Sequence, residues 1–196
     1  VWGGAGGIGS MSIKIAHAMG ANVVAVVSDD EKGKFCMSIG AKGYINRKKY
    51  RHWGRVSELD ERGYRKWLAS AVRFRNEIFS ITGNTKSPAI VIEHPGGDTL
   101  PTSLFVCSTG GMVVLCGATS TFMSDIDLRF LWLSQKRIQG SHAGNANDAK
   151  GFLELSEKAE IVPEIGKVFE WNQLPEAHES MMNGSVCGKY VVKVGD

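Results

Sequence analysis

Hydrophobic and polar positions along this chain switch repeatedly between the helical and the strand period. In SMSIKIAHAMG, Met11, Ile15 and Ala18 recur on one helix face, and Gly20 ends the run. ANVVAVVS follows as a short β-branched run, of the kind buried on both faces in a parallel sheet. DDEKGKFCMSIG reads as a second helix, capped by Asp29 or Asp30 with Glu31 in its first turn, and KGYIN as a brief strand. Beyond the polar stretch RKKYRHWGRVSELD, the segment ERGYRKWLASAVRFRNEIFSITG places Tyr64, Trp67, Leu68, Ala71, Val72, Ile78 and Phe79 on one helical stripe. It is longer than a minimal crossover and reads as an insertion, either a packing helix or a subunit or substrate contact.

SPAIVIEHPGG is then a strand ending in a Pro-Gly turn, and LPTSLFVCS a short helix. GGMVVLCGATS is a buried strand running into a small-residue loop, and RIQGSHAGN repeats that form. NDAKGFLELSEKAEI is a helix. This order predicts an α/β fold, a doubly wound parallel sheet of the Rossmann type, over residues 1–160. KVFEWNQLPEAHESMMNGSVCGKYVVKVG reads strand, helix, strand and does not obviously extend that sheet, so residues 161–196 are assigned to a second, incomplete domain.

Composition narrows the function classes. With 43% hydrophobic and 22% charged residues in 196, the chain has the make-up of an ordinary globular protein. A net charge of +3 without a dense basic tract argues against a nucleic-acid partner, and no apolar run has the length needed to span a membrane. The start shows no signal-peptide pattern. Cys36, Cys107, Cys116 and Cys187 lack C-x-x-C spacing, which speaks for buried free thiols in a reducing cytoplasm rather than a zinc or dithiol centre. No H-E-x-x-H pattern points to a metal either.

The chemistry concentrates in VWGGAGGIGS. Gly4, Gly6 and Gly9 spell G-x-G-x-x-G, and Gly3, Gly6 and Gly9 an overlapping G-x-x-G-x-x-G. Such a loop normally leaves a buried strand, yet only Val1 and Trp2 precede it. A pyrophosphate can be met by the free amides and positive end of the following helix. Gly6 and Gly7 allow the close backbone approach, Gly9 lets the helix pack on the sheet, and Gly4 and Ile8 complete the expected cofactor turn. Where an NAD site carries an acid at the end of the second strand, this chain has Ser28, with Lys32 four residues on and Arg47 after the third strand. A hydroxyl and two cations suit a 2′-phosphate, which favours NADPH over NADH. Cys116 and Gly117, where GGMVVLCGATS leaves its strand, join the cofactor set.

With these residues in place the chain resembles the medium-chain dehydrogenase/reductase superfamily, and within it the crotonyl-CoA carboxylase/reductases. The narrower resemblance rests on WGGAGGIGSM, AVVSDDEKGKFC, GAKGYINRK, the inserted helix ending FSITG, EHPGGDTLPTSLFVC, GGMVVLCGATS, LWLSQKRIQGSH and the tail GKYVVKV. It implies that the chain begins near the end of the first cofactor-domain strand. The tail would then be the C-terminal piece of a GroES-like catalytic domain, most of which lies elsewhere. It also implies NADPH, an enoyl-CoA substrate, carbon dioxide and a homo-oligomer. In such a family hydride reaches the β-carbon of an α,β-unsaturated CoA thioester, and the enolate takes up carbon dioxide to give a 2-alkylmalonyl-CoA, an extender unit for polyketide synthesis.

His142, in GSHAGN, matches the family histidine that orders a water and the carbon dioxide, and is the expected catalytic residue. Ala143, Gly144 and Asn145 are expected in the substrate pocket. Ala143 stands where relatives commonly have a bulky aromatic, which leaves room for a longer or more branched acyl chain. His17, His52, His94 and His178 read as structural or surface residues, and Glu93 as a turn contact or a cleft residue. Two rivals share the cofactor residues: an enoyl-CoA or quinone reductase that only protonates the enolate, and a cofactor-binding module without catalysis. The inserted helix and the GSH loop favour the carboxylating reading.

Overall fold

In a computed structural model of the chain, residues 1–184 and 187–195 are described. The β-branched runs pair in parallel. β1 (Val24–Val27) lies beside β2 (Gly43–Asn46), with Val27 opposite Asn46. β3 (Ile90–Glu93), β4 (Met112–Leu115) and β5 (Arg137–Gly140) form a second group in that order. Val1 and Trp2 lie between the two groups. Val26 N–H donates to Val1 O (2.8 Å), Gly4 N–H to Val26 O (3.2 Å), and Trp2 N–H to Ile92 O (3.0 Å). The order across the sheet is therefore β2, β1, Val1–Trp2, β3, β4, β5, the doubly wound arrangement the sequence predicts, with its reversal between Trp2 and β3.

Successive residues of a strand face opposite sides, and β1 shows what each side packs against. Ala25 and Val27 join Ile13 of α1 (Gly7–Ala18) and Cys36 of α2 (Asp30–Ser38) in one core. Val26 faces the other core, with Trp2, Ile45, residues of α3 (Glu61–Thr82) and residues of α4 (Leu100–Val106). Asp29, rather than Asp30, caps α2 by accepting the Lys32 N–H at 2.9 Å. After the short helix α5 (Leu128–Trp132), β5 is exposed along its whole length, as is most of the helix that follows it, α6 (Ala146–Lys158), whose residues include none that are buried.

The insertion helix α3 runs from its Asp60 cap to Gly83, which ends it at φ +72°. Its buried residues are Trp67, Ala71, Phe74 and Ile78. Phe74 falls outside the stripe read from the sequence, yet it is the centre of the contact: its ring stacks on Trp2 with centroids 5.7 Å apart and planes 8° apart. Val72, Leu68 and Phe79 flank this face and are half-buried. α3 is a packing helix on the sheet.

The tail folds as β6 (Ile165–Glu170), α7 (Leu174–Asn183) and β7 (Lys189–Lys193), with β6 and β7 paired in parallel apart from the main sheet. Phe169, fully buried, stacks on Tyr190 and forms its small core. The tail is fastened to the glycine loop and to α1. Gly188 N–H donates to Ala5 O (2.8 Å), and Lys14 Nζ donates to Val162 O (2.8 Å) and pairs with Glu164.

His52 is the most enclosed of the histidines, 6% exposed among Tyr50, Trp53, Trp67 and Phe74, with Nδ1 2.7 Å from Ser70 Oγ. The structural reading made from the sequence holds for it. Burial first, then the charge of Arg73, lower its pKa to about 4. The unfolded chain therefore takes up a proton near pH 6.5 while the folded one does not until about pH 4. Stability is complete above pH 6.5 and falls as the pH drops to about 4, by roughly 3 kcal/mol in all. Urea unfolding followed across that range should show this slope, and His52→Phe should remove it.

Candidate functional site

The glycine loop joins the first strand position to α1 at the point where the sheet reverses. Gly3 takes φ +57°, and Gly6 N–H closes the turn onto Gly3 O at 2.9 Å. Gly6 then serves as the N-cap of α1 in an extended conformation, with no side-chain cap and no acid in the first turn. The positive end of α1 is left for an anion. A Cβ on Gly9 would collide with Gly3 O and lie 2.6 Å from Gly4 Cα, so this residue must be bare for α1 to start against the strand. A Cβ on Gly4 would meet Ala25 Cβ at 2.9 Å and Cys36 Sγ at 3.0 Å. Gly6 is different: its nearest protein neighbour would be Gly3 O at 3.4 Å, ordinary contact, so packing does not require a glycine there. The space above Gly7 is taken by the side chain of Lys189, whose Cε and Nζ lie 2.8 Å from where a Cβ would stand. Ile8 is about half exposed on the same turn.

At the far end of β1 the expected 2′-phosphate readers draw together in part. Lys32 Nζ donates to Ser28 Oγ (3.2 Å) and to Gly184 O of the tail (2.8 Å), and lies 3.6 Å from Asp29 Oδ2. Asp29 is held below the ordinary carboxylate range, chiefly by the Lys32 backbone N–H it accepts. Arg47 is exposed in the short 3₁₀ turn after β2, and the β1–β2 register puts it beside Ser28 at the same sheet edge.

The crevice lies beyond β3 and β4. Glu93, fully buried, accepts from Thr99 Oγ1 (2.7 Å), from Gly96 N–H (3.1 Å) and from Ser103 Oγ. Glu93 thus makes the turn contact that the sequence allowed for. Cys116 N–H and Sγ both point to Glu93 O, and burial raises the Cys116 pKa. Gly117 lies against His94, at 3.3 Å from its carbonyl oxygen to a notional Cβ. The His94 ring in turn covers Gly3, so that a Cβ on Gly3 would be 2.8 Å from Cε1. Burial lowers the His94 pKa and favours the neutral ring.

His142 follows β5 at the same edge and is exposed, in a loop anchored by Ser141 N–H to Leu115 O (2.9 Å). Ala143 has φ +59°. Asn145 caps α6: its Oδ1 accepts from Asn147 N–H (2.8 Å) and Asp148 N–H (3.1 Å), and Asp148 answers by accepting the Asn145 N–H. Gly144 packs on Asp148 Cβ, 3.2 Å from a notional Cβ.

The family model described as zinc-binding dehydrogenase matches residues 7–158. The chain belongs to that family. Among its relatives are a crotonyl-CoA carboxylase/reductase of Cereibacter sphaeroides, 40% identical over 92% of this chain and 42% of that protein, and a crotonyl-CoA reductase of Streptomyces collinus, 34% identical over 95% and 41%. The solved structure of the crotonyl-CoA carboxylase/reductase AntE in complex with NADP superposes with a TM-score of 0.93 at 41% identity, over 97% of this chain and 48% of that one. The 2-octenoyl-CoA carboxylase reductase CinF, in complex with NADP and 2-octenoyl-CoA, does so with a TM-score of 0.85 at 30% identity, over 97% and 42%. The chain spans less than half the length of each of these relatives.

The family description names zinc, but among the described residues of this chain no three His, Cys, Asp or Glu side chains are grouped to hold a metal. The cysteines are all free; Cys36 and Cys107 are buried, and burial pushes Cys36 up to about 12. Two residues of the crevice escaped sequence reasoning. His94, read as structural or surface, covers the glycine loop because it stands one residue beyond β3, beside the first strand. Lys189 reaches Gly7 from a tail whose docking no local pattern announces. Gly9→Ala should destabilise the fold by roughly 1–3 kcal/mol through overpacking, whereas Gly6→Ala should unfold at the wild-type temperature; calorimetry of the two variants checks the contrast.

Proposed function

We propose that this chain is the cofactor-binding part of an NADPH-dependent enoyl-CoA carboxylase/reductase. The observation that carries the reading is the bare glycine turn entering an uncapped helix where the sheet reverses, a cradle in which Gly6 leaves room that no protein atom fills. Its support from relatives is the NADP named for AntE and the NADP and 2-octenoyl-CoA named for CinF. Residues 1–160 would form the cofactor domain, and 161–196 the return into a catalytic domain.

NADPH, when bound, supplies hydride to the β-carbon of the unsaturated thioester. The chain's own residues bind and orient. Gly6, Gly7 and the first amides of α1 receive the pyrophosphate, with Gly4, Ile8 and Gly9 shaping the turn. Ser28, Lys32 and Arg47 read the 2′-phosphate, Lys32 from a position already fixed by Gly184 O. Cys116 and Gly117 line the nicotinamide end beside His94. His142 orients water and carbon dioxide by hydrogen bonding, and Ala143, Gly144 and Asn145 border the acyl chain. Excluding water there keeps the substrate enolate from taking a proton before it meets carbon dioxide. The product would be a 2-alkylmalonyl-CoA, an extender unit for polyketide synthesis.

The partners of this reading are an enoyl-CoA, carbon dioxide and a second copy of the chain, with no nucleic acid and no membrane. For the homo-oligomer the support is the exposed edge strand β5 and the apolar Phe122, Trp132 and Leu133 left open to solvent. Among the described residues no helix is long and apolar enough to cross a membrane, and the free thiols suit a reducing cytoplasm. Two relatives carry the name crotonyl-CoA reductase alone, which keeps the plain reductase as the second reading.

The full-length protein, given NADPH and enoyl-CoAs from crotonyl- to octenoyl-CoA, should oxidise NADPH faster with bicarbonate and yield a product heavier by carbon dioxide. Saturated acyl-CoA regardless of bicarbonate would establish the plain reductase. Longer substrates should be preferred, and His142→Ala should lower the carboxylated fraction while NADPH affinity stays unchanged. In direct binding, Lys32→Ala with Arg47→Ala should weaken NADPH by roughly tenfold or more and leave NADH unaffected. Gly6→Ala should abolish NADPH binding without loss of fold.

A further inference from the structure

Three carboxylates follow Ser28 in the run Asp29, Asp30 and Glu31. Two of them are drawn off. Asp30 Oδ1 accepts from Asn46 Nδ2 at the end of β2 (3.1 Å), and Glu31 pairs with Lys34 (2.8 Å). Asp29 has its two oxygens divided between tasks. Oδ1 caps α2 by accepting the Lys32 N–H, which would be a sufficient task for the residue. Oδ2 meets the two groups at the end of β1 expected to read a 2′-phosphate. Ser28 Oγ donates to it at 3.1 Å, and Lys32 Nζ stands 3.6 Å from it.

The proton count at Ser28 gives this contact its consequence. A hydroxyl has one proton to donate. Ser28 Oγ accepts from Lys32 Nζ (3.2 Å), and its own proton goes to Asp29. An ionised phosphate oxygen only accepts, so Ser28 can serve a 2′-phosphate only by leaving Asp29. Lys32 is shared in a similar way. Its ammonium donates to Ser28 Oγ and Gly184 O, and the nearby Asp29 carboxylate offsets its charge. Asp29 stays ionised, since the Lys32 backbone N–H holds it below the ordinary carboxylate range. Its side chain is 42% exposed, so that charge is open to an approaching ligand. A phosphate entering beside it is repelled, whereas a ribose hydroxyl can donate to it.

We propose, on the cofactor reading given above, that Asp29 is a specificity-determining residue that works against the 2′-phosphate. It holds the preference for NADPH over NADH below what Ser28, Lys32 and Arg47 would give without it. The ribose end then carries two opposed elements: cations that favour the phosphate, and a carboxylate that occupies the hydroxyl and offsets one of those cations. An amide in place of the carboxylate separates the roles of Asp29. Its oxygen still caps α2, its nitrogen donates where Oδ2 accepted, the Ser28 proton is released, and the charge is gone.

The test titrates NADPH and NADH by calorimetry into the full-length protein as wild type, Asp29→Asn and Asp29→Ser, at low and high salt. Asn and Ser are both good helix caps, so the melting temperature should stay near the wild-type value. Each replacement should tighten NADPH by roughly tenfold, leave NADH unchanged or weaker, and lose part of the gain at high salt. Adenosine 2′,5′-bisphosphate should gain as NADPH does, and adenosine 5′-monophosphate should not, which puts the effect at the 2′-phosphate. In a Ser28→Ala background the gain from Asp29→Asn should shrink, because only the charge is left to remove. NADPH affinity that is unchanged or weaker at an unchanged melting temperature, or equal tightening of NADH, would overturn the role of Asp29 and leave the cofactor reading standing. Wild-type protein that binds neither dinucleotide would overturn the cofactor reading, and this role with it.

Discussion

A carboxylate shut away from water fixes the geometry of the crevice. Glu93 lies at the end of β3, where the sheet reverses, and a charge there is tolerable only if its oxygens are met. Thr99, Ser103 and the Gly96 N–H meet them, and burial still raises the pKa of the acid. Ser103 Oγ also accepts the Trp2 indole N–H at 2.7 Å, so its own proton must go to Glu93. A single donor chain, Trp2 to Ser103 to Glu93, therefore ties the first strand position to α4 and to the end of β3. The turn it holds, with Gly96 at φ +91°, delivers His94 onto Gly3. What a ligand would find at the crevice is set by this network before any surface residue takes part.

The glycine loop is held from two further directions. From inside, α1 begins so close to the strand that Gly9 touches the Gly3 and Gly4 backbone. From outside, the tail bears on it through the Gly188–Ala5 hydrogen bond, the Lys14 contacts with Val162 and Glu164, and the Lys32 contact with Gly184. Lys14 and Lys32 belong to α1 and α2, so the tail spans the two helices that frame the loop. Lys189 over Gly7 and Gly184 against Lys32 both belong to this tail, so the two ends of the cleft, at Gly7 and at Ser28, border on one segment that lies outside the main sheet.

Most of the architecture was legible because most strands are short β-branched runs and most helices show a clear period. Asp29 was one of two caps the sequence offered for α2, the caps Asp60 and Asn145 appear only in the structure, and the Rossmann order followed from the alternation. The insertion helix was found, but its stripe omitted Phe74. That residue's burial comes from Trp2, far away in sequence, and no local window contains the pairing. The glycines were legible for the same reason as the strands: bare backbone at fixed spacing has few other uses. His94 and Lys189 were not, since each owes its place to a contact between segments distant in the chain. Lys32 was found, but not its bond to the tail, which holds the cation in place beside Ser28.

His142 is governed by what lies on either side of it. Upstream, Ser141 is bonded to Leu115 at the end of β4. Downstream, the reciprocal Asn145–Asp148 box fixes the start of α6. Only three residues span the interval, and Ala143 crosses it at φ +59°, a conformation that costs an L-residue about 1–2 kcal/mol. The sequence suggested that a small side chain at this position widens the acyl pocket. The backbone adds an independent reason for it: a bulky or branched residue would sit worse in the left-handed region than alanine does. Small size at Ala143 thus serves the turn, and with it the place at which the imidazole of His142 is held.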